Sequence, residues 1–214
     1  MQNPGGVLLI RHGQSEWNEQ GKWQGLADPP LSDQGRRQAR LVAEHLRDIE
    51  VSKVFSSDLQ RAFETAQIIS EELGIAEVIP YTGLRERDAG DWTGLTNKEI
   101  EDRWPEVAEL RAAGKLVKPT GANNPNFEER ALATLRELLN EASSGVVLAF
   151  THGGFIRGVE RSLHDPSTNR IANLSGRWIF AKETGLALGE SFTVNELSKT
   201  GIATDDSAED PQRI

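Results

Sequence analysis

The sequence predicts an α/β fold with a mostly parallel central sheet covered by helices on both faces. Three observations carry that expectation. Short, wholly apolar runs recur along the chain, the pattern of strands buried on both sides. Segments with apolar residues at helical spacing alternate with them. The chain's 214 residues also suffice for one large domain with a substantial core.

Each element has a local reason. "GVLLI" (Gly6–Ile10) is brief, apolar and led by glycine, which makes it a buried strand. After a loop rich in Gly, Asp and Pro, Ser32 is placed to cap a helix whose apolar face is Ala39, Val42, Ala43, Leu46 and Ile49. "VSKVFSS" (Val51–Ser57) is the second strand. Ala62, Ala66, Ile69 and Leu73 mark the second helix, with Gly74 as its C-cap. "AEVIPY" (Ala76–Tyr81) is a third strand candidate. Thr96 with Glu99 forms a capping box for a short helix that ends toward Trp104, before Pro105. "AAGKLVKPTGANNPN" reads as an irregular loop or lid. Phe127, Ala131, Leu135, Leu138 and Ala142 define the next helical face. "VVLAFT" (Val146–Thr151) is the second continuous apolar strand, followed by a helix carrying Ile156, Val159 and Leu163. "RWIFA" and "SFTVNELS" read as late strands. Residues 1–200 are expected to form one catalytic domain, and 201–214 an acidic, polar tail that frays.

Composition narrows the function. A formal net charge of −9 argues against a broad basic face for nucleic acid, so positive charge for an anionic ligand must come from a local cluster. With no cysteine there is neither a disulfide nor thiol catalysis, which fits a reducing compartment. The first residues lack the basic region of a signal peptide, and no apolar run approaches the roughly 20 residues of a membrane helix. A soluble cytoplasmic protein is expected, with no membrane partner and with a homodimer left open.

The chemistry gathers where such sheets bind ligands, beyond the carboxyl ends of the strands. Two of the chain's four histidines stand there in one grammar, Arg11-His12-Gly13 and His152-Gly153-Gly154. Glycine lets the backbone turn and approach a ligand closely, and a helix starting near Gly154 would offer N–H groups to an anion. A third strand end delivers Arg61 into the first turn of its helix. Two guanidinium forks and two imidazoles suit a phosphoryl group, with one imidazole as nucleophile and the other donors stabilising charge. The leaving alkoxide needs an acid, which Glu86 or Asp88 in "LRERDAGDWTG" can supply.

"LLIRHGQSEWN", "SSDLQRAFETA", "LRERDAGDWTG" and "THGGFIRG", in that order, resemble the histidine phosphatase superfamily, also called the phosphoglycerate-mutase-like family. The resemblance spans roughly Val7 to Leu163 and implies a three-layer α/β sandwich and a phosphohistidine intermediate. It makes His12 the nucleophile and Glu86 the general acid and base, while Arg11, Arg61 and His152 hold the phosphoryl group. Asn18, Gln24 and Gly25 match positions lining the phosphate and substrate pocket, and Ser15 and Gly153 complete the expected substrate-binding set. A cofactor-independent phosphomonoesterase acting on small soluble phosphate esters follows.

Other readings stand beside it. A metal site built from His12, His152 and a carboxylate is conceivable, but the flanking arginines would repel the cation. No metal or other cofactor is therefore expected. A phosphate-binding module that lost catalysis would usually lack His12, Glu86 or His152. A phosphoglycerate mutase needs a long cover to keep its phosphohistidine dry, whereas the interval from Glu86 to His152 is a compact 66 positions. Glu86-Arg87-Asp88-Ala89-Gly90 also resembles the phosphatase branch rather than the Glu-Arg-His-Tyr-Gly typical of mutases. His45 and His164 are assigned to the surface, and the five tryptophans to core or loop anchors, with Trp23 beside the pocket.

Overall fold

A computed structural model of the chain describes residues 5–115, 117–142, 145–165, 171–183 and 185–194. Strands β1 (Gly6–Arg11), β2 (Val51–Ser56), β3 (Ile79–Pro80), β4 (Val146–Thr151), β5 (Gly176–Lys182) and β6 (Gly185–Phe192) form one sheet in the order β3-β2-β4-β1-β5-β6. The β2–β3, β2–β4 and β1–β4 pairs are parallel, and β1–β5 and β5–β6 are antiparallel. The helices are α1 (Glu16–Glu19), α2 (Asp33–Leu46), α3 (Gln60–Leu73), α4 (Asn97–Arg103), α5 (Pro105–Ala112), α6 (Phe127–Glu141) and α7 (Gly153–Ser162).

Alternation along the central strands builds two cores. Val7, Leu9, Val147 and Ala149 face α6 and α7, packing with Phe127, Leu135, Phe155 and Ile156. Leu8, Ile10, Leu148 and Phe150 face α2 and α3, packing with Val42, Leu46, Ala66 and Ile69. Because both faces of β1 and β4 are covered, every residue in those strands is buried. The result is the expected three-layer sandwich. A third, smaller cluster of Trp23, Trp92, Ile100, Val107 and Val117 gathers beside it, with the Trp23 and Trp92 rings edge to face at 5.0 Å.

Caps account for the helix starts. Ser32 accepts from the Gly35 N–H, Thr96 and Glu99 close their capping box, and α3 borrows the Asp28 carboxylate, which accepts from the Gln60 N–H at 2.6 Å. Gly74 ends α3 at φ 71°, as its position after Leu73 predicts.

Several expectations need correction. The α2 helix stops at Leu46, and Ile49 packs on its core from the turn beyond. The third strand shrinks to Ile79–Pro80, because Pro80 has no N–H to donate and lies on the sheet edge. Pro105 does not simply end a helix: it stands at the first position of α5, where its missing N–H costs nothing. The last strand is Gly185–Phe192 rather than "SFTVNELS". It pairs from Lys182↔Gly185 to Gly176↔Phe192 and stops where its partner stops. Residues 195–198 of that expected strand, and the tail from 201, lie outside the described residues. No helix among the described residues is long and apolar enough to cross a membrane.

Candidate active site

Strand register decides which groups meet. Arg11 pairs with Thr151, and Ile10 and Ser56 both pair with Phe150, so β2, β4 and β1 end side by side. The next residue of each strand is Ser57, His152 and His12. All three are buried.

The His12 Nδ1–H donates to its neighbour's carbonyl, Gly13 O, at 2.7 Å. A carbonyl can only accept, so the hydrogen sits on Nδ1 and Nε2 keeps its lone pair. The Arg61 Nε–H lies 3.3 Å from that Nε2. Burial, with the Arg61 and Arg11 charges adding to it, holds the His12 pKa well below the ordinary 6.5, so the ring is neutral. His152 is held low in the same way, by burial first and then by Arg61, His12, Arg11 and Arg130. The two imidazole rings lie 5.3 Å apart.

Arg61 is anchored from the opposite side. Its two terminal nitrogens donate to Ala27 O at 2.7 Å and Gly25 O at 2.9 Å. Burial lowers its pKa to about 10, which leaves it cationic at neutral pH. Gly25 has φ 52°, and a Cβ there would come within 2.5 Å of the Ala89 nitrogen, so only glycine fits. Arg11 donates to Ile171 O at 2.6 Å from the end of β1.

Glu86 follows a short 3₁₀ turn, Thr82–Leu84, after β3. One carboxylate oxygen accepts from the Gly154 N–H at 2.8 Å, in the first turn of α7, and the other from the Arg87 N–H at 2.8 Å. Asp88, the alternative acid, lines the same cavity but is tied to the lid loop rather than to α7: its oxygens accept from the Gly90 and Asn123 N–H groups at 2.9 Å each. With Asn124, which receives the Asp88 N–H and donates to Asp88 O, it latches the expected lid loop onto the Glu86 loop. Beside Glu86 a cavity of about 290 Å³ opens, lined in part by Leu26, Arg85, Asn124 and Arg130.

The predicted substrate-binding residues fall into one network with a partly structural task. Ser15 and Asn18 close the capping box of α1, with Asn18 Oδ1 accepting from Ser15 N–H at 3.2 Å. Ser15 Oγ–H also donates to Gln24 Oε1 at 2.7 Å. The buried Gln24 Nε2 has no partner among the described residues, and neither has His152 Nδ1. Gly153 is the first residue of α7. His45 and His164 are exposed, as expected, and Trp23 belongs to the third apolar cluster.

Four contributors escape the sequence reading. Ser57 Oγ lies 2.8 Å from His152 Nε2; the expected strand Val51–Ser57 stops at Ser56, which leaves Ser57 just beyond the strand end. Arg130 on α6 donates to Gly83 O at 2.6 Å and Arg85 O at 2.9 Å, bracing the loop that carries Glu86. Asn173 donates to His12 O at 2.8 Å, and Thr65 Oγ1 accepts from the Gly13 N–H at 3.0 Å. These three have no local signal, since each acts across more than 40 positions of chain.

Among the described residues there is no group of three or more His, Cys, Asp or Glu suited to hold a metal ion. The cluster is cationic where a phosphoryl group would sit and acidic only at Glu86.

A family model described as the histidine phosphatase superfamily (branch 1) matches residues 7–177. The chain belongs to that superfamily. Among its relatives is phosphoglycerate mutase-like protein 4 of Arabidopsis thaliana, 34% identical over 78% of this chain and 74% of the relative. A metal-independent phosphoserine phosphatase of the same plant is 30% identical over 92% of this chain and 84% of its own length. A mycobacterial glucosyl-3-phosphoglycerate phosphatase solved with vanadate (VO3) superposes with a TM-score of 0.73 at 28% identity, covering 87% of this chain and 98% of that one. This superfamily member is an enzyme of the histidine phosphatase type.

Proposed function

We propose that the protein hydrolyses small phosphomonoesters through a phosphohistidine on His12 Nε2. The observation that carries this reading is the state of His12: a buried neutral ring with its hydrogen committed to Gly13 O and its Nε2 lone pair facing Arg61. A neutral nitrogen at such a point is a nucleophile ready at physiological pH. Nε2 attacks phosphorus while the ester P–O bond breaks, and Glu86 gives its proton to the departing oxygen. As a carboxylate it then takes a proton from the water that attacks phosphorus, and the P–N bond returns its electron pair to Nε2.

The other groups stabilise the transferring charge. Arg11 and Arg61 supply fixed cations. His152 Nε2 shares a hydrogen with Ser57 Oγ, and in this reading His152 takes the tautomer with its hydrogen on Nδ1, which donates to a phosphoryl oxygen. Gln24 Nε2, likewise without a partner among the described residues, is a second such donor. The Nδ1–H to Gly13 O bond stabilises the positive ring formed when Nε2 is phosphorylated. None of these steps calls on a divalent cation, since the arginines and histidines supply the charge that one brings elsewhere.

The test is a quench with labelled substrate. Label on His12 that is lost in acid and survives base, absent from His12→Ala, and turnover unchanged by exhaustive chelation, are expected. An acid-stable adduct, or label persisting in His12→Ala, would exclude the phosphohistidine. Isomerisation of 3-phosphoglycerate much faster than phosphate release would make the protein a mutase.

A further inference from the structure

A second cavity, of about 310 Å³, adjoins the first, and Asn124 and Phe127 line both. Its wall carries three cations, Arg87, Lys118 and Arg161, against a single carboxylate, Glu128. Glu128 is spent on Arg161, 3.4 Å away. Among the described residues, Arg87 and Lys118 make no ion pair. Elsewhere Lys53 is paired with Glu141, Lys98 with Asp102 and Arg85 with Asp58. In a chain with 33 acidic and 24 basic residues, cations concentrated in one concavity without carboxylates to match are not average surface.

The cavity is also held in place. Arg87 adjoins Glu86 in sequence, and its backbone N–H binds the Glu86 carboxylate. Thr120 O, two residues after Lys118, accepts from the Asp91 N–H at 2.9 Å, and Asp88 holds the Asn123 N–H three residues later. The segment bearing Lys118 is thereby tied to the loop bearing the acid. A leaving group released at Glu86 faces the first cavity, and Asn124 and Phe127 carry its wall on into the second.

We propose that the Arg87–Lys118–Arg161 cavity is a subsite for a second anionic group on the leaving alcohol. The preferred substrates are then phosphomonoesters whose alcohol carries a further phosphate or carboxylate. This rests on the hydrolytic reading above for the position of the leaving group. The first phosphoryl group binds at the strand ends among Arg11, Arg61 and the histidines, and the second anion is caught beyond Asn124 by three cations that share a single carboxylate.

The test compares glucose 1,6-bisphosphate with glucose 6-phosphate, by turnover in the wild-type protein and by calorimetric binding to His12→Ala, which cannot form the phosphohistidine. The bisphosphate is expected to have the higher kcat/KM and to bind His12→Ala more tightly. Lys118→Gln should remove about 10-fold of that advantage, the loss of one charge-assisted contact at a partly exposed site, and leave the monophosphate unchanged. Arg161→Gln should act in the same direction. Equal affinity for the two sugars, or an advantage that survives both substitutions, overturns the subsite. Inorganic phosphate that binds tightly to wild type but not to Lys118→Gln, without any bisphosphate preference, makes the cavity a free-anion site and also overturns it. If the bisphosphate preference appears in His12→Ala while the wild type hydrolyses neither sugar, the hydrolytic reading fails and the subsite stands. Hydrolysis of both at equal rates fails the subsite and leaves hydrolysis standing.

Discussion

The Arg61 Nε–H and the His12 Nε2 lie 3.3 Å apart, so a fully buried cation faces the lone pair of a buried, neutral imidazole. In the proposed reaction the phosphoryl group enters between them, and the guanidinium exchanges a neutral acceptor for a charged oxygen. Lysine cannot reproduce this, because it lacks the planar fork that also grips Gly25 O and Ala27 O. Arg61→Lys is expected to lower kcat by about 10²–10³-fold. Steady-state kinetics decide the matter, and a loss under threefold would remove Arg61 from the reacting centre.

Burial keeps both histidines neutral, and stability should follow pH accordingly. In the unfolded chain these rings take up a proton near the ordinary 6.5, whereas in the folded protein they do so only at lower pH. As pH falls through 6.5 the unfolded state holds more protons. Stability is therefore fully present above that value and declines below it, by up to about 1.4 kcal/mol per pH unit for each ring. Urea midpoints between pH 7.5 and 5.5 should drop more steeply for the wild type than for His152→Gln. Parallel slopes would mean that His152 is not held neutral by the fold.

Glu86 and Asp88 should separate cleanly. Glu86→Gln is expected to cost about 10²–10⁴-fold in rate for alkyl esters and much less for activated aryl phosphates, whose leaving groups need no proton. Asp88→Asn should slow both classes to a similar, smaller degree, since its carboxylate holds the Gly90 and Asn123 N–H groups rather than a reacting proton. A leaving-group dependence in Asp88→Asn and none in Glu86→Gln would reverse the two roles.

Gly154 tests how tightly the acid is placed. A Cβ there would come within 2.3 Å of a Glu86 carboxylate oxygen, so the carboxylate must move. Since a displacement of about 1 Å can cost 10²-fold in rate, Gly154→Ala should lose at least about 10-fold in kcat while keeping its circular dichroism spectrum. Wild-type turnover in a folded Gly154→Ala would show that the acid tolerates the shift.

The sequence by itself determined the layers of this fold and which side chains gather at the strand ends, for a physical reason. Apolar strands buried on both faces and helices with one apolar stripe leave their pattern in local spacing, as in "GVLLI", "VVLAFT" and the Phe127–Ala142 face. Parallel strands also place whatever follows them on one edge, so His12 and His152 could be paired before any contact was known. What only the tertiary structure decided arises between segments distant in the chain. Glu86 and Asp88 stand two residues apart in one loop; the fold ties Glu86 to α7 through the Gly154 N–H and Asp88 to the lid loop through the Asn123 N–H. Asn18 closes the capping box on the N-cap Ser15, and Arg130 and Asn173 reach the strand-end cluster only because α6 and the segment before β5 pack where they do. The last strand ends with its partner at Gly176, a limit set by pairing rather than by propensity. Hydrogen bonds of this kind join positions that no sequence period connects, and the packed layers alone bring them together.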